Sequence, residues 1–274
     1  MPYTAIQVNL KGGVGKTEQA KNCGLALAQA GKRVLAIDGD SDRCLTDSLV
    51  EEEPTCTLFD LLREPGQGIE RAVVPYERIP LEGCFHLIPG SEEISTAPAA
   101  FSDAQIRQPV ASFNEVLPYL IKNFASAYDL IIIDPGPNRD AVNDALLMSA
   151  QGAFVPSAAE PLAFKGLTRI LNRIRRNNKD RARLGLPGET TPLGIVLSKV
   201  MPDQHEVADQ MAAAFSAAKT HCLTTRIPYS RQVWESTGAL LPVWAYAPND
   251  PAAVAYLQLT AEMEALMTQA QGTH

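Results

Sequence analysis

The chain has 274 residues, of which 46% are hydrophobic, and a formal net charge of −7 at pH 7. This length and composition suit an α/β protein with a large buried core, and the acidic balance excludes a protein whose entire surface attracts nucleic acid. No apolar run approaches the ~20 residues that span a bilayer, and the first residues lack a signal-peptide pattern, so we expect a cytoplasmic protein without a membrane partner.

The first element is a strand, predicted by the apolar run at residues 5–8, and a glycine-rich loop follows it directly. Glycines allow backbone N–H groups to turn inward around phosphates, Lys16 would supply a charge to the β- and γ-phosphate oxygens, and the Thr17 hydroxyl would ligate Mg²⁺. An ordinary loop of this type does not need the second lysine, Lys11, which suggests a role at the phosphates of a neighbouring subunit. A nucleoside triphosphate site is therefore predicted at Lys11-Gly12-Gly13-Val14-Gly15-Lys16-Thr17.

Helices and strands alternate along the rest of the chain. A helix follows the loop and ends before Gly31, and a last helix is predicted at roughly residues 250–270. Continuous apolar strands separated by helices predict a doubly wound, mostly parallel sheet with helices on both faces. The Pro- and Gly-rich residues 53–90 have little apolar content for a separate core, so residues 1–274 are predicted to form a single domain. The remaining strands are predicted at residues 33–37, 85–88, 130–133, 153–155 and 193–197.

Two of these strands end in aspartates, at the sheet edge where open α/β sheets bind ligands. Asp134 closes the strand at residues 130–133, and its carboxylate can hold the water shell of Mg²⁺. In the turn after the second strand, Asp40 can orient a water in line with the γ-phosphate, while Asp38 supports the metal or the turn. We assign Asp40 and Asp134 to catalysis and, together with Thr17, to the metal. The alternative is an acidic turn without a catalytic role.

These features resemble the ParA/MinD family of deviant-Walker ATPases, over nearly the whole chain. The loop, the turn at Asp38 and Asp40, the strand end at Asp134 and the segment at residues 227–233 follow the family's order. The resemblance is closest to ParA-type, Soj-like proteins without an N-terminal DNA-binding domain, and it implies a P-loop NTPase fold. It also implies a homodimer that forms on ATP binding. In that dimer Lys11 crosses to the nucleotide of the other subunit, whereas Lys16 and Thr17 act within their own.

The family positions cargo, most often plasmids or chromosomes, by ATP-dependent binding to the nucleoid. The resemblance therefore implies a weak, Mg²⁺-dependent ATPase that binds DNA nonspecifically, associates with the nucleoid and is stimulated by a ParB-like partner. A MinD-like regulator at a membrane surface is the alternative, but it would need a basic amphipathic C-terminal helix, and residues 269–274 are neutral and polar. An iron-protein-like reductase would need cluster-ligating cysteines, and Cys84 and Cys222 lie in the wrong contexts.

The chain departs from the family pattern at three places. Glu18 stands where a second hydroxyl residue usually follows Thr17, so its carboxylate lies near the α-phosphate and would repel it unless it turns away or pairs with a cation, such as Lys11 of the other subunit. Ser41-Asp42 replaces the common Pro-Gln, and Pro135-Gly136-Pro137 replaces Thr-Pro-Pro. We expect switch behaviour to differ in detail.

The base is predicted to be adenine. Guanine readers carry an Asn-Lys-x-Asp motif, and the matching strand end, residues 197–201, lacks the required carboxylate. By the resemblance, Ser198 and the backbone near Pro228 and Tyr229 would border the adenine, although a plain turn explains Pro228 equally well.

Two basic clusters are candidate DNA contacts. The favoured one consists of Lys219, Arg226 and Arg231, in the part of the chain that the family associates with DNA binding. The second lies on a helix whose opposite face is apolar, and it includes Arg169, Arg173 and Arg176. A solvated helix face is an equally good interpretation of the second cluster.

Overall fold

A seven-stranded sheet forms the centre of the protein, whose computed structural model describes residues 2–103, 109–124, 126–160, 163–218 and 220–272. The strands are β1 (Tyr3–Gln7), β2 (Arg33–Gly39), β3 (Val74–Pro75), β4 (Cys84–Ile88), β5 (Leu130–Pro135), β6 (Gly152–Ala158) and β7 (Thr191–Ser198). Their order is β3-β4-β2-β5-β1-β6-β7, and each neighbouring pair is parallel except β3 with β4.

Helices cover both faces of this sheet. They are α1 (Lys16–Gln29), α2 (Cys44–Asp47), α3 (Leu58–Arg63), α4 (Ala97–Asp103), α5 (Val116–Phe124), α6 (Ala141–Ser149), α7 (Ala163–Arg183), α8 (His205–Ala217), α9 (Arg231–Gly238), α10 (Val243–Tyr246) and α11 (Pro251–Gly272). Over the described ranges, none of these helices combines the length and apolar character that crossing a membrane requires.

Alternate residues of each central strand enter different hydrophobic clusters. In β5, Ile131 and Ile133 join the cluster that contains α3 to α8, whereas Leu130 and Ile132 join the cluster that contains α1 and α11. Successive side chains of a strand point to opposite faces, and both faces here are buried. The central strands are therefore apolar without interruption, which is the pattern from which a parallel sheet was predicted.

The strand order brings the ends of β1, β2 and β5 together. Asp38 of β2 is paired in register with Asp134 of β5, and Ile6 of β1 is paired with Ile133. Because parallel strands end at the same edge, the loop after β1 emerges directly beside the two aspartates.

The predicted fold class is confirmed, and each of the six predicted strands is present. The structure adds β3, a two-residue strand at the edge of the sheet that pairs antiparallel with β4. Pro75 has no N–H to donate to a ladder, so it is tolerated at an edge but gives no strand signal in the sequence. The last helix is also present, and Tyr256, Leu259 and Met263 of α11 are buried against the α1 side of the sheet.

Candidate nucleotide-binding site

The glycine-rich loop has the backbone conformation that phosphate binding requires. Gly13 and Gly15 adopt φ angles of 72° and 98°, in the left-handed region that other residues rarely enter. Among the described residues, and apart from each glycine and its direct chain neighbours, none has an atom within 4 Å of the position that a Cβ would take at Gly12 or Gly13, so the loop backbone is open on that side. Helix α1 begins at Lys16 without a side-chain cap, which leaves its first N–H groups to an anion.

This loop forms part of a cleft of about 460 Å³, a volume typical of small-molecule sites. The other walls come from the ends of β2, β5 and β7 and from the segment around α9. Residues along the cleft include Gly12, Gly13, Gly15, Lys16, Thr17, Glu18, Lys21, Asp40, Asp42, Pro137, Lys199, Pro228, Tyr229, Trp234 and Thr237. The structure thus brings most of the predicted nucleotide-site residues to one cavity.

Asp134 lies directly behind Thr17. The Thr17 hydroxyl donates a hydrogen bond of 2.7 Å to Asp134 Oδ2, while Oδ1 of the same carboxylate is buried without a partner among the described residues. Burial and the nearby Asp38 charge raise the pKa of Asp134 well above its usual value, and the Thr17 hydrogen bond and Lys16 oppose this shift. A buried carboxylate with a vacant oxygen suits the water shell of a cation that Thr17 would ligate. The donor set therefore fits Mg²⁺.

Asp38 shapes the turn that carries Asp40. Asp38 Oδ2 accepts hydrogen bonds from the backbone N–H and the hydroxyl of Thr46, and Oδ1 accepts one from the Asp40 N–H. Burial raises the pKa of Asp38 to about 6, although these hydrogen bonds lower it. Gly90 is also required, because a Cβ there would lie 2.9 Å from Asp38 Cγ. No motif in the sequence had indicated Thr46 or Gly90.

Asp40 lies on the wall of the cleft, close to the loop after β5. A Cβ at Gly136 would lie 3.0 Å from Asp40 Oδ1, so a side chain at this position would displace the Asp40 carboxylate. Asp40 Oδ1 also accepts a hydrogen bond of 3.2 Å from the Asp42 N–H. In the part of the chain that the structure describes, no group of three His, Cys, Asp or Glu side chains could hold a metal by itself, so phosphate and water oxygens would have to complete the shell.

Lys11 lies at the mouth of the loop and reaches across to the end of β6. Its Nζ is 2.5 Å from Oε2 of Glu160 in the same chain, and both side chains are about half exposed. A Lys11 side chain in this position does not serve the phosphates of its own loop. The prediction that it acts on a neighbouring subunit requires it to leave Glu160.

Glu18 is paired with a cation from its own chain. Its Oε1 lies 3.0 Å from Nζ of Lys199, which follows β7. Lys21 lies one turn further along α1, buried, with its Nζ 3.3 Å from the Thr237 hydroxyl. Burial lowers the pKa of Lys21 to about 8, and the Glu18 charge opposes this shift. The sequence had suggested Lys11 of another subunit as the partner of Glu18, and neither Lys21 nor Lys199 had been proposed for the site.

The structure places two of the predicted adenine contacts at the cleft and the third beneath the phosphate loop. Pro228 and Tyr229 line the cleft, and Tyr229 is exposed. Ser198 is instead buried beneath Gly15, where its Oγ accepts a hydrogen bond from Gln19, so its hydroxyl supports the loop and is not available at the cleft wall. Trp234 of α9, which sequence reasoning missed, lines the cleft and is 75% exposed.

The two basic clusters differ in their partners. Arg226 is paired with Asp209 and Arg231 with Glu235, and Lys219 lies outside the described residues. On α7, Arg169, Arg173 and Arg176 line one cleft of about 410 Å³ together with Arg139, Asp144 and Asp180. Arg173 is bonded to Asp144 and to the Asn138 carbonyl.

Comparisons with known proteins identify the family of the chain. A family described as an AAA domain matches residues 4–184. The chromosome-partitioning ATPase Soj of Thermus thermophilus is 28% identical over 264 residues, which cover 96% of this chain and 95% of Soj. The chromosome partitioning protein ParA of Caulobacter vibrioides is 29% identical over 262 residues, with 93% and 91% coverage.

A solved structure has the same fold. Cobyrinic acid a,c-diamide synthase from Mycobacterium smegmatis, with bound ADP and magnesium, is similar with a TM-score of 0.74 and 22% identity, over 95% of this chain and 93% of the synthase. The glycine-rich loop, the sheet order and the match to partitioning ATPases over almost the full length lead to one assignment. The chain belongs to the ParA/MinD family of ATPases.

Proposed function

We propose that this protein is an ATP- and Mg²⁺-dependent dimerising ATPase that binds DNA nonspecifically and positions a plasmid, chromosome or other cargo near the nucleoid. A ParB-like partner would stimulate its slow hydrolysis. The observation that carries the proposal is the loop with two lysines, Lys11 and Lys16, in a chain that matches the chromosome-partitioning ATPase Soj over almost its full length. The ADP and magnesium held by the solved synthase support the same ligand here.

The residues of the site have separate roles in the proposed hydrolysis. Lys16 and the loop N–H groups bind and orient the phosphates, and Thr17, held by Asp134, is the protein's metal ligand. Bound Mg²⁺ would neutralise charge that develops on the β- and γ-phosphates. Asp40, fixed against Gly136, accepts a hydrogen bond from the attacking water and orients it.

Lys11 makes the active site depend on a second subunit. It must exchange Glu160 for a phosphate of the neighbouring nucleotide. A half-exposed ion pair contributes only about 0–1 kcal/mol, so this exchange costs little compared with a contact to a phosphate. ATP binding would thereby be coupled to dimer formation.

The α7 cleft is the better candidate for DNA phosphates. Arg226 and Arg231 are neutralised by acids of the same chain, whereas Arg169 and Arg176 have no ion-pair partner within the described residues. The contact of Arg173 with Asn138 supports a link between this cleft and the loop that follows Asp134. DNA affinity would then respond to the nucleotide.

Light scattering of the eluting protein and retention on a DNA column, each with and without ATP and Mg²⁺, test the proposal. We expect an ATP-dependent dimer and retention that falls with salt. R169A/R176A should reduce the slope of log affinity against log salt by about 2, and R175A on the same helix is the matched control. A protein that stays monomeric and unretained with ATP would refute the proposal. Retention on anionic vesicles and not on DNA would favour the membrane-surface alternative.

A further inference from the structure

The backbone conformation on both sides positions the ion pair of Glu18 with Lys199. Glu18 lies in the first turn of α1, directly after the metal ligand Thr17. Lys199 adopts a φ angle of 56°, in the left-handed region that a lysine seldom enters. The strand bridge of Val200 to Pro228 fixes this turn through hydrogen bonds from the Val200 N–H to Ile227 and from the Tyr229 N–H to Val200. The chain therefore holds Lys199 in a strained conformation that turns it toward the phosphate loop.

The pair contributes little to the stability of the fold. Its side chains are 38% and 28% exposed, and ion pairs of this kind are worth about 0–1 kcal/mol. A strained backbone that positions a weak surface ion pair is not explained by folding energetics. Both side chains line the nucleotide cleft, which offers a functional explanation.

The charge balance at this end of the cleft is positive. The Glu18 carboxylate faces the ammonium of Lys199 at 3.0 Å and also interacts with the buried Lys21. One carboxylate between two ammonium groups leaves a net charge of about +1. Lys199 has three N–H donors, and in the described part of the chain its ammonium contacts Glu18 alone. Its other donors are available to an anion.

We infer that Lys199 is a further nucleotide-contacting residue that donates to the α-phosphate, and that Glu18 is its positioning residue. This inference rests on the proposed nucleotide binding: with phosphates held by the loop, Glu18 in the first turn of α1 would lie next to the α-phosphate, and a cation at its carboxylate would be within reach of the phosphate oxygens. The Glu18 carboxylate then does not repel the nucleotide, because it holds the Lys199 ammonium in place to bind the phosphate. The pair replaces the hydroxyl group that the family has at position 18.

Affinity for Mg·ADP tests this inference, because ADP contains the α-phosphate and its binding does not depend on a second subunit. K199M should weaken ADP and ATP binding equally, by about 10-fold, the loss expected for one charge-assisted hydrogen bond. K32M breaks an exposed pair of the same length, Lys32 with Glu264 at 3.0 Å, and is the matched control. Melting temperatures show whether each variant is folded.

The positioning role of Glu18 is tested by a double-mutant cycle. In the K199M background the carboxylate would face the phosphates without its cation, so adding E18Q should recover at least 3-fold in ADP affinity, while E18Q alone changes it less than 3-fold. The inference is overturned if folded K199M binds ADP like the wild type, if its loss is confined to ATP, or if E18Q and K199M act additively. These outcomes do not depend on dimerisation or DNA binding, so failure of the proposed function would be recognised separately.

Discussion

Asp38 and Asp134 occupy paired positions on neighbouring strands, and both carboxylates are fully buried beneath the phosphate loop. Burial is the largest cause that raises the pKa of Asp134, and the nearby Asp38 charge raises it further, so both effects favour a proton at Asp134. A divalent cation at Thr17 would favour the ionised form instead. Binding of a metal–nucleotide complex would therefore lower the pKa of Asp134.

D134N should remove the free-energy cost of ionising the buried Asp134, which destabilises the folded wild type at neutral pH. Because the pKa of Asp134 is higher in the folded than in the unfolded state, the folded state binds more protons, and stability falls as pH rises above about 4. We expect D134N to be more stable than the wild type without nucleotide at pH 7.5, by about 1–3 kcal/mol, with a smaller difference at pH 4.5. Urea unfolding at the two pH values measures this, and equal stability changes at both would contradict it.

D134N should also lose the response to metal. Wild-type protein should be strongly stabilised by ATP with Mg²⁺ and less so by ATP with EDTA, whereas D134N should show little difference between the two conditions and no hydrolysis. Thermal melts with each ligand measure the response. A variant that retained the full Mg²⁺ effect would remove Asp134 from the metal site.

K21M should stabilise the fold and impair the site. The pKa of Lys21 falls from 10.5 to about 8 on burial, so the unfolded state binds more protons between these values and wild-type stability rises with pH across that window. K21M should be more stable at pH 7 by up to about 3 kcal/mol, and the difference should shrink by pH 9.5. Its ADP affinity should fall, because Lys21 lines the cleft. K32M, at an exposed site, should show no such pH-dependent difference.

Trp234 offers a direct optical signal of nucleotide binding. The chain has two tryptophans, and Trp244 is partly buried, with its indole N–H donating a hydrogen bond to the Asn22 carbonyl. Ligand in the cleft should change the emission of exposed Trp234, so W244F should keep the signal and W234F should lose it. If the ring stacks on the base, W234A should weaken ATP binding about 3- to 10-fold. A signal that survives in W234F and disappears in W244F would contradict this.

The sequence predicts the part of the site whose residues are positioned by the apolar strands. Asp134 lies at the end of β5, and Thr17 follows the loop that leaves the neighbouring strand β1, so their meeting follows from the rule that parallel strands end at one edge. The other part depends on the segment from β7 to α9, where no periodicity fixes the direction of a side chain. Lys199 adopts a left-handed conformation at a position where no glycine marks a turn in the sequence. Ser198 directly precedes this turn and lies beneath the phosphate loop. Their positions could be learned only from the backbone.

The ion pair of Lys11 with Glu160 predicts opposite effects for its two members. K11A should abolish ATP-dependent dimerisation and leave a folded monomer, because the neighbouring nucleotide loses its cation. E160Q should instead free Lys11, so that dimers form at a lower ATP concentration, with a shift of up to about 5-fold for a pair worth 0–1 kcal/mol. E264Q, which breaks the exposed pair of Glu264 with Lys32, should leave the ATP dependence unchanged. Light scattering across an ATP titration distinguishes the three variants. If K11A dimerised like the wild type, Lys11 would be a surface lysine whose partner is Glu160, and if E160Q required more ATP, Glu160 would support the dimer and not compete with it.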